Sequence, residues 1–208
     1  MKKNRIDKMT GLVYYHPRIY QALMRLLYGG QYETRYRVIA ELVPEGARLN
    51  DICCGDCYIY FKYLKQKKVQ YRGFDNNPVF INWLKARGVE AELLDVTGDR
   101  LPAGDFLLLQ ASLYQFIPCH EDLLTKLLES DHQTVIVSEP IRNLSSSSNF
   151  IIRNLAQWAT ASTKGKCRSR FTPREVMDLF EKFRVSEIKE AGRDLVGVFT
   201  TAGRRAQT

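Results

Sequence analysis

The sequence predicts a doubly wound α/β fold: a seven-stranded sheet, mostly parallel with an antiparallel last strand, behind a helical N-terminal cap. Three observations predict it. Short apolar runs alternate with segments of helical period from Arg48 to Ser138, and strands separated by helices pair in parallel through right-handed crossovers. Acidic residues recur where those strands end, at Asp51, Asp75, Asp95 and Glu139. Near its end the chain carries two strand-like runs joined by a short connection containing Gly192, the pattern of an antiparallel hairpin at a sheet edge.

The elements follow in order. Residues 16–28 and 31–42 read as two helices split by Gly29-Gly30. After the turn Pro44-Glu45-Gly46, residues 48–53 (RLNDIC) form the first strand, and 58–68 place Tyr58, Phe61 and Leu64 at helical spacing among lysines. Residues 70–75 (QYRGFD) are the second strand. Asn77-Pro78 then combines an N-cap with proline at the first helical position, and the helix VFINWLKAR closes at Gly88. Residues 89–94 and 105–110 (DFLLLQ) are strands three and four, 121–129 a helix and 134–138 (TVIVS) strand five. Ser145 to Ser148 is a polar hinge before a helical stretch, 151–161, containing Trp158. Thr172-Pro173-Arg174-Glu175 is a capping box that opens the helix EVMDLFEKF, and 185–189 and 195–201 are the last two strands. The expected organisation is a single domain over 1–208, with a helical cap (1–43), a ligand-binding core (44–143), a lid-like insertion (144–171) and a C-terminal helix and hairpin (172–208).

Composition narrows the classes. At 208 residues and 45% hydrophobic the chain can bury a full core. No apolar run approaches the roughly 18 residues a membrane span needs, and the basic start lacks the apolar segment of a secretory signal. A cytoplasmic protein, monomeric or homodimeric, is expected. Lys plus Arg 31 against Asp plus Glu 23 gives +8, which invites a polyanion. The basic residues are scattered in short clusters typical of solvated surface, so a nucleic-acid partner is disfavoured. Of five cysteines, three stand together at Cys53, Cys54 and Cys57. Cys54-Gly55-Asp56-Cys57 is formally C-x-x-C, but a structural zinc site wants four ligands, and only isolated Cys119, Cys167, His120 and His132 remain. No metal is expected, and a redox dithiol weighs less than small residues lining a turn.

In an open parallel sheet, ligands bind beyond the carboxyl ends of the strands. Those ends read Asp51-Ile52-Cys53-Cys54-Gly55-Asp56-Cys57, Asp75-Asn76, Asp95-Val96, Gln110-Ala111 and Glu139-Pro140. Asp75 follows Asp51 by 24 positions, near the roughly 20 at which an acid ending strand two meets ribose hydroxyls. A pyrophosphate wants a G-x-G-x-x-G turn, whereas those positions here hold Cys53, Gly55 and Tyr58 beside Asp51 and Asp56. The acidic turn instead favours a nucleoside that carries an amino group and a sulfonium but no phosphate.

With these residues in place, the sequence resembles the class I S-adenosylmethionine-dependent methyltransferases of small-molecule type, over about residues 31–201. Their first motif, acid-x-Gly-x-Gly-x-Gly, maps onto Asp51, Cys53, Gly55 and Cys57, of which only Gly55 keeps the glycine. The resemblance implies a Rossmann-like sheet and S-adenosyl-L-methionine as cofactor, with S-adenosyl-L-homocysteine as product. It further implies that Asp51 and the Gly55 backbone hold the methionine part, that Asp75 binds both ribose hydroxyls and that Asp95 and Val96 meet the adenine. Cys53, Asp56, Asn76 and Gln110 complete the expected cofactor set. The stretch DFLLLQASLYQF (105–116) is similar to the fourth motif, which passes beneath the methyl group, and Gln115 stands where many small-molecule members have His. A cysteine at a position needing φ > 0 would cost on the order of 1 kcal/mol.

Methyl transfer from a sulfonium is an in-line displacement, so alignment and exclusion of water carry most of the rate. A base is needed only where the acceptor must lose a proton. Candidates are Glu139, Tyr114 and His120, while His132 lies at the opposite edge of the sheet. Tyr14, Tyr15, His16, Gln115 and Trp158 are candidates for holding a small-molecule acceptor. The Asn/Asp-Pro-Pro-aromatic tetrapeptide of amino-group nucleic-acid methylases is replaced by Gln110-Ala-Ser-Leu. An RNA methyltransferase and a non-catalytic nucleoside-binding module are the alternatives.

Overall fold

The computed structural model describes residue 25 and residues 29–141 and 171–201. The helix expected over 16–28 and the insertion, including Trp158, therefore lie outside the described residues, as do Tyr14, Tyr15 and His16. A 3-10 turn, Gly29–Gln31, leads into helix α1 (Tyr32–Leu42). Strand β1 (Arg48–Ile52) is followed by a π-helical segment (Tyr60–Leu64), β2 (Gln70–Asp75), α2 (Pro78–Lys85) and β3 (Ala91–Leu93). Then come β4 (Phe106–Gln110), a 3-10 turn (Leu113–Phe116), α3 (His120–Leu128), β5 (Thr134–Pro140), α4 (Pro173–Lys182), β6 (Glu187–Ala191) and β7 (Asp194–Thr200).

The seven strands form one sheet in the order β3-β2-β1-β4-β5-β7-β6. All pairs from β3 to β5 are parallel, and β7 alone runs antiparallel, to β5 on one side and β6 on the other. The expected fold class is thus the observed one. The hairpin adds a detail: its second strand, β7, enters the sheet between β5 and β6, which leaves β6 on the edge. The order reverses between β1 and β4, which is where an open sheet of this type leaves a crevice.

Helices cover both faces, so the central strands are apolar on both sides and read as continuous runs. Along β4, Leu108 joins a core layer with Tyr32, Ile39, Leu64 and Leu84, whereas Leu107 and Leu109 join the opposite layer with Leu124, Phe180 and Phe199. Local signals behave as their chemistry dictates. The Asn77 side chain accepts a hydrogen bond from the Val79 N–H (2.9 Å), capping α2 before Pro78. Thr172 and Glu175 form a reciprocal capping box on α4. The segment after β1 departs from the expected α-helix over 58–68. Its Lys65 N–H bonds the Tyr60 carbonyl (3.0 Å), one residue wider than α geometry, a form common next to functional sites. Helix α1 is tied to the far end of the sheet by a buried ion pair, Arg35 to Asp194 at the start of β7 (2.8 Å).

Candidate cofactor site

Strand β1 lies between β2 and β4, so its carboxyl end opens at the crevice, and the turn that follows is acidic and tightly bonded. The Cys54 N–H bonds the Phe74 carbonyl of β2, and the Cys57 N–H returns to the Cys54 carbonyl, both at 3.0 Å. Three residues of this turn have φ > 0: Cys53 (57°), Gly55 (54°) and Cys57 (51°). Gly55 adopts that conformation without penalty, whereas the two cysteines sit in the left-handed region despite their side chains, at roughly 1–2 kcal/mol each. The positions that the first-motif pattern reserves for glycine therefore keep a glycine backbone here.

Asp75, at the end of β2, is joined to this turn. Its Oδ2 accepts the Gly55 N–H (3.0 Å) and its Oδ1 the Asn77 N–H (2.8 Å). Burial pushes its carboxyl above the usual range, and these backbone donors oppose the shift. Asp51 is buried on β1, where the Tyr71 hydroxyl donates to its Oδ2 (2.5 Å). Burial pushes Asp51 up to about 7; the Tyr71 bond pulls down, while Asp75 and Asp56 push further up. Asp56 is buried too, and its Oδ1 accepts the Tyr58 N–H (3.3 Å).

The remaining expected cofactor residues occupy the neighbouring strand ends. Asn76 and Asp95 are exposed and Val96 is buried. Asp95 Oδ1 accepts from both the N–H and the hydroxyl of Thr97 (3.0 and 2.6 Å). Gln110, at the end of β4, is half-buried, and its Nε2 is enclosed with no hydrogen-bond partner among the described residues. Ala111 follows at φ 50°, turning the chain into Ser112 and the 3-10 segment that carries Tyr114 and Gln115.

Glu139 takes up that turn from below. It is 1% exposed, and its Oε1 accepts the N–H groups of Ser112 (2.9 Å) and Leu113 (2.7 Å). Burial pushes its carboxyl up to about 8 against the pull of those bonds. Tyr114 is half-buried and Gln115 exposed in the same turn. His120 begins α3 with its ring edge-on to Phe171 (5.1 Å between centroids). His132 is buried among Asn50 and Ser130 at the amino end of β5, as its place in the sequence implies.

Two groups went unread in the sequence. Tyr71 bonds Asp51 and lies 3.0 Å from the Cys57 sulfur. A tyrosine cluster, Tyr32, Tyr36 and Tyr58, packs at 4.7–5.2 Å between ring centroids where α1 meets the turn. The one available signal was Gly73 within QYRGFD, since a glycine inside a strand often marks a close approach. A Cβ there would meet the sulfurs of Cys54 (2.9 Å) and Cys57 (3.1 Å).

A family model described as methionine biosynthesis protein MetW matches residues 33–140. The chain belongs to the MetW family. That match spans α1 through β5, and so covers the acidic turn, Asp75, Gln110 and Glu139. No curated protein matches the chain by sequence. Among solved structures, a methyltransferase in complex with the Trm112 methyltransferase activator of Haloferax volcanii is similar at TM-score 0.67 and 12% identity, over 93% of this chain and 99% of that one. A S-adenosylmethionine-dependent methyltransferase from Thermotoga maritima reaches 0.62 and 18%, over 91% and 98%. An rRNA methylase from Escherichia coli reaches 0.51 and 17%, over 90% and 68%. The shared property is the fold, Rossmann-like with an antiparallel last strand. Among the described residues, no helix is long and apolar enough to cross a membrane, and no group of His, Cys, Asp and Glu is placed to hold a metal ion.

Proposed function

We propose that the crevice between β1, β2 and β4 binds S-adenosylmethionine and that the protein transfers its methyl group to a small-molecule acceptor. The observation that carries this reading is the joint between Asp75 and Gly55. One carboxylate grips the backbone of the β1 turn and keeps lone pairs for a ligand. Binding of ribose hydroxyls by Asp75 would then fix the turn that meets the methionine end.

The donor set fits such a cofactor. Asp51, Asp56 and Asp75 are acids gathered near one turn, and their mutual repulsion contributes to raising Asp51. A ligand bearing an ammonium and a sulfonium relieves that repulsion, whereas a phosphate would add to it. Gln110 Nε2, which has no partner among the described residues, offers a donor at the same end of the sheet. When bound, the cofactor supplies an electrophilic methyl on sulfur. The chain's own residues supply position: Asp51 and the Gly55 backbone hold the methionine part, Asp75 the ribose, and Val96 with Asp95 the adenine.

Glu139 is assigned to positioning. A carboxyl near 8 is mostly protonated at neutral pH, and its Oε1 holds the Ser112–Leu113 backbone that runs on into Tyr114. Tyr114 and His120 are the groups assigned to take a proton from an acceptor that must lose one. Because an rRNA methylase shares this fold, the fold leaves the acceptor class to the site. There the missing Asn/Asp-Pro-Pro-aromatic segment supports a small molecule.

Calorimetric titration with S-adenosylmethionine and S-adenosylhomocysteine tests the reading. Binding of both is expected, and Asp75→Ala should weaken it at least tenfold. Absence of binding to the folded protein, or affinity unchanged by Asp75→Ala, would overturn it.

A further inference from the structure

The turn after β1 holds a pair of thiols that the methyl-transfer reading does not use. The sulfurs of Cys54 and Cys57 converge on the space above Gly73 of β2, at 2.9 and 3.1 Å from where a Cβ would stand. Only glycine at 73 lets them meet there. The backbone is already closed to suit: the Cys57 N–H bonds the Cys54 carbonyl (3.0 Å). Such a turn keeps its end Cα atoms within about 7 Å, and disulfides span roughly 4.4–6.8 Å between Cα atoms. Cys54 is half-buried and Cys57 buried, so Cys54 is the more exposed of the two residues.

A proton path adjoins the buried member. The Tyr71 hydroxyl lies 3.0 Å from Cys57 Sγ and 2.5 Å from Asp51 Oδ2. With its single proton given to Asp51, the hydroxyl oxygen is left to accept from the Cys57 thiol. We propose that Cys54 and Cys57 are a reversible oxidation site, closed to a disulfide by a small-molecule disulfide of the glutathione type.

The step balances. The Cys54 thiol gives its proton to solvent water and its thiolate attacks one sulfur of the reagent; the other sulfur leaves as a thiolate and takes a proton back from solvent, giving a mixed disulfide at Cys54. Cys57 then passes its proton through Tyr71 to Asp51 and attacks Cys54 Sγ. The second reagent thiolate leaves and is protonated in turn. Two protein thiols are oxidised by two electrons, and one reagent disulfide becomes two thiols. Burial pushes both protein thiols above their ordinary range. They are protonated at rest, and the closing step depends on Asp51 as acceptor. Because Gly55 lies inside the closed loop and bonds Asp75, the disulfide is expected to weaken S-adenosylhomocysteine binding at least fivefold. That consequence rests on the cofactor reading above, whereas the disulfide does not.

The test equilibrates the full chain in reduced and oxidised glutathione, alkylates the free thiols and maps the products by tandem mass spectrometry. The expected product is one Cys54–Cys57 disulfide, reversed by excess reduced glutathione, with Cys53 and Cys119 alkylated. Tyr71→Phe should slow closure at least tenfold and accumulate glutathione on Cys54, while Cys57→Ser should stop at that adduct. Full alkylation of both thiols after oxidation, or a disulfide through Cys53 or Cys119 instead, would overturn the site. Equal S-adenosylhomocysteine affinity of the two forms would overturn the regulatory consequence. Failure of both forms to bind it would count against the cofactor reading and leave the disulfide standing.

Discussion

Cys53 and Cys57 are where sequence and backbone disagree most, because each carries a side chain through a conformation that favours glycine, at φ 57° and 51°. Cys53 is the cleaner of the two to test, being half-buried and outside the thiol pair. Cys53→Gly removes roughly 1–2 kcal/mol of backbone strain and adds back about 0.5–1 kcal/mol of chain entropy. Cys53→Ala removes the sulfur and keeps the strain. In urea denaturation the glycine variant should be the more stable of the two by about 1 kcal/mol, and the reverse order would show that the turn is not strained. At this scale the sequence was informative about charge and poor about contact. Asp51, Asp56 and Asp75 announced an acidic site by type and spacing. The bond from Tyr71 to Asp51 did not, since it joins side chains on two strands paired in register.

Elements were legible wherever a local rule fixes them: Asn77-Pro78, Thr172 with Glu175, and the apolar runs of β4 and β5 behave as their chemistry demands. The wider segment at Tyr60–Leu64 was not, because its pattern of Tyr58, Phe61 and Leu64 serves an α-helix equally well. Nor was the ion pair of Arg35 with Asp194, which joins α1 to β7 across most of the sequence with both side chains at most 2% exposed. Taking one partner away strands a buried charge, and such losses run at about 3–5 kcal/mol. Arg35→Met should therefore cost about 3 kcal/mol in urea denaturation. Arg35→Met combined with Asp194→Leu should recover most of it, and simple addition of the two single losses would show that the groups do not act as a pair.

For the molecule as a whole, the buried acids set how stability responds to pH. Unfolded carboxyls titrate near 4, whereas Asp51 titrates at about 7 and Glu139 at about 8 in the fold. Both folded values are raised, so between these limits the folded chain holds more protons than the unfolded one, and stability falls as pH rises. The contribution is complete below about pH 4 and is lost as pH passes 7 and then 8. Thermal melts at constant ionic strength should show a midpoint that declines from pH 5 to 9, with Asp51→Asn flattening the lower part of the decline. A midpoint rising over that range would contradict the buried-acid assignment. The paired acids Asp105, Glu121 and Glu175 are lowered instead and act only at more acid pH. The order of the sheet carries a consequence in time as well as in space. The five parallel strands can pair while the chain is being made, but among the described residues β6 pairs with β7 alone. When residues 187–191 emerge they must wait, and the outer edge of β5 stays open until residues 194–200 arrive to fill the gap between them. Among the described strands, the one synthesised last is the one that seals the sheet.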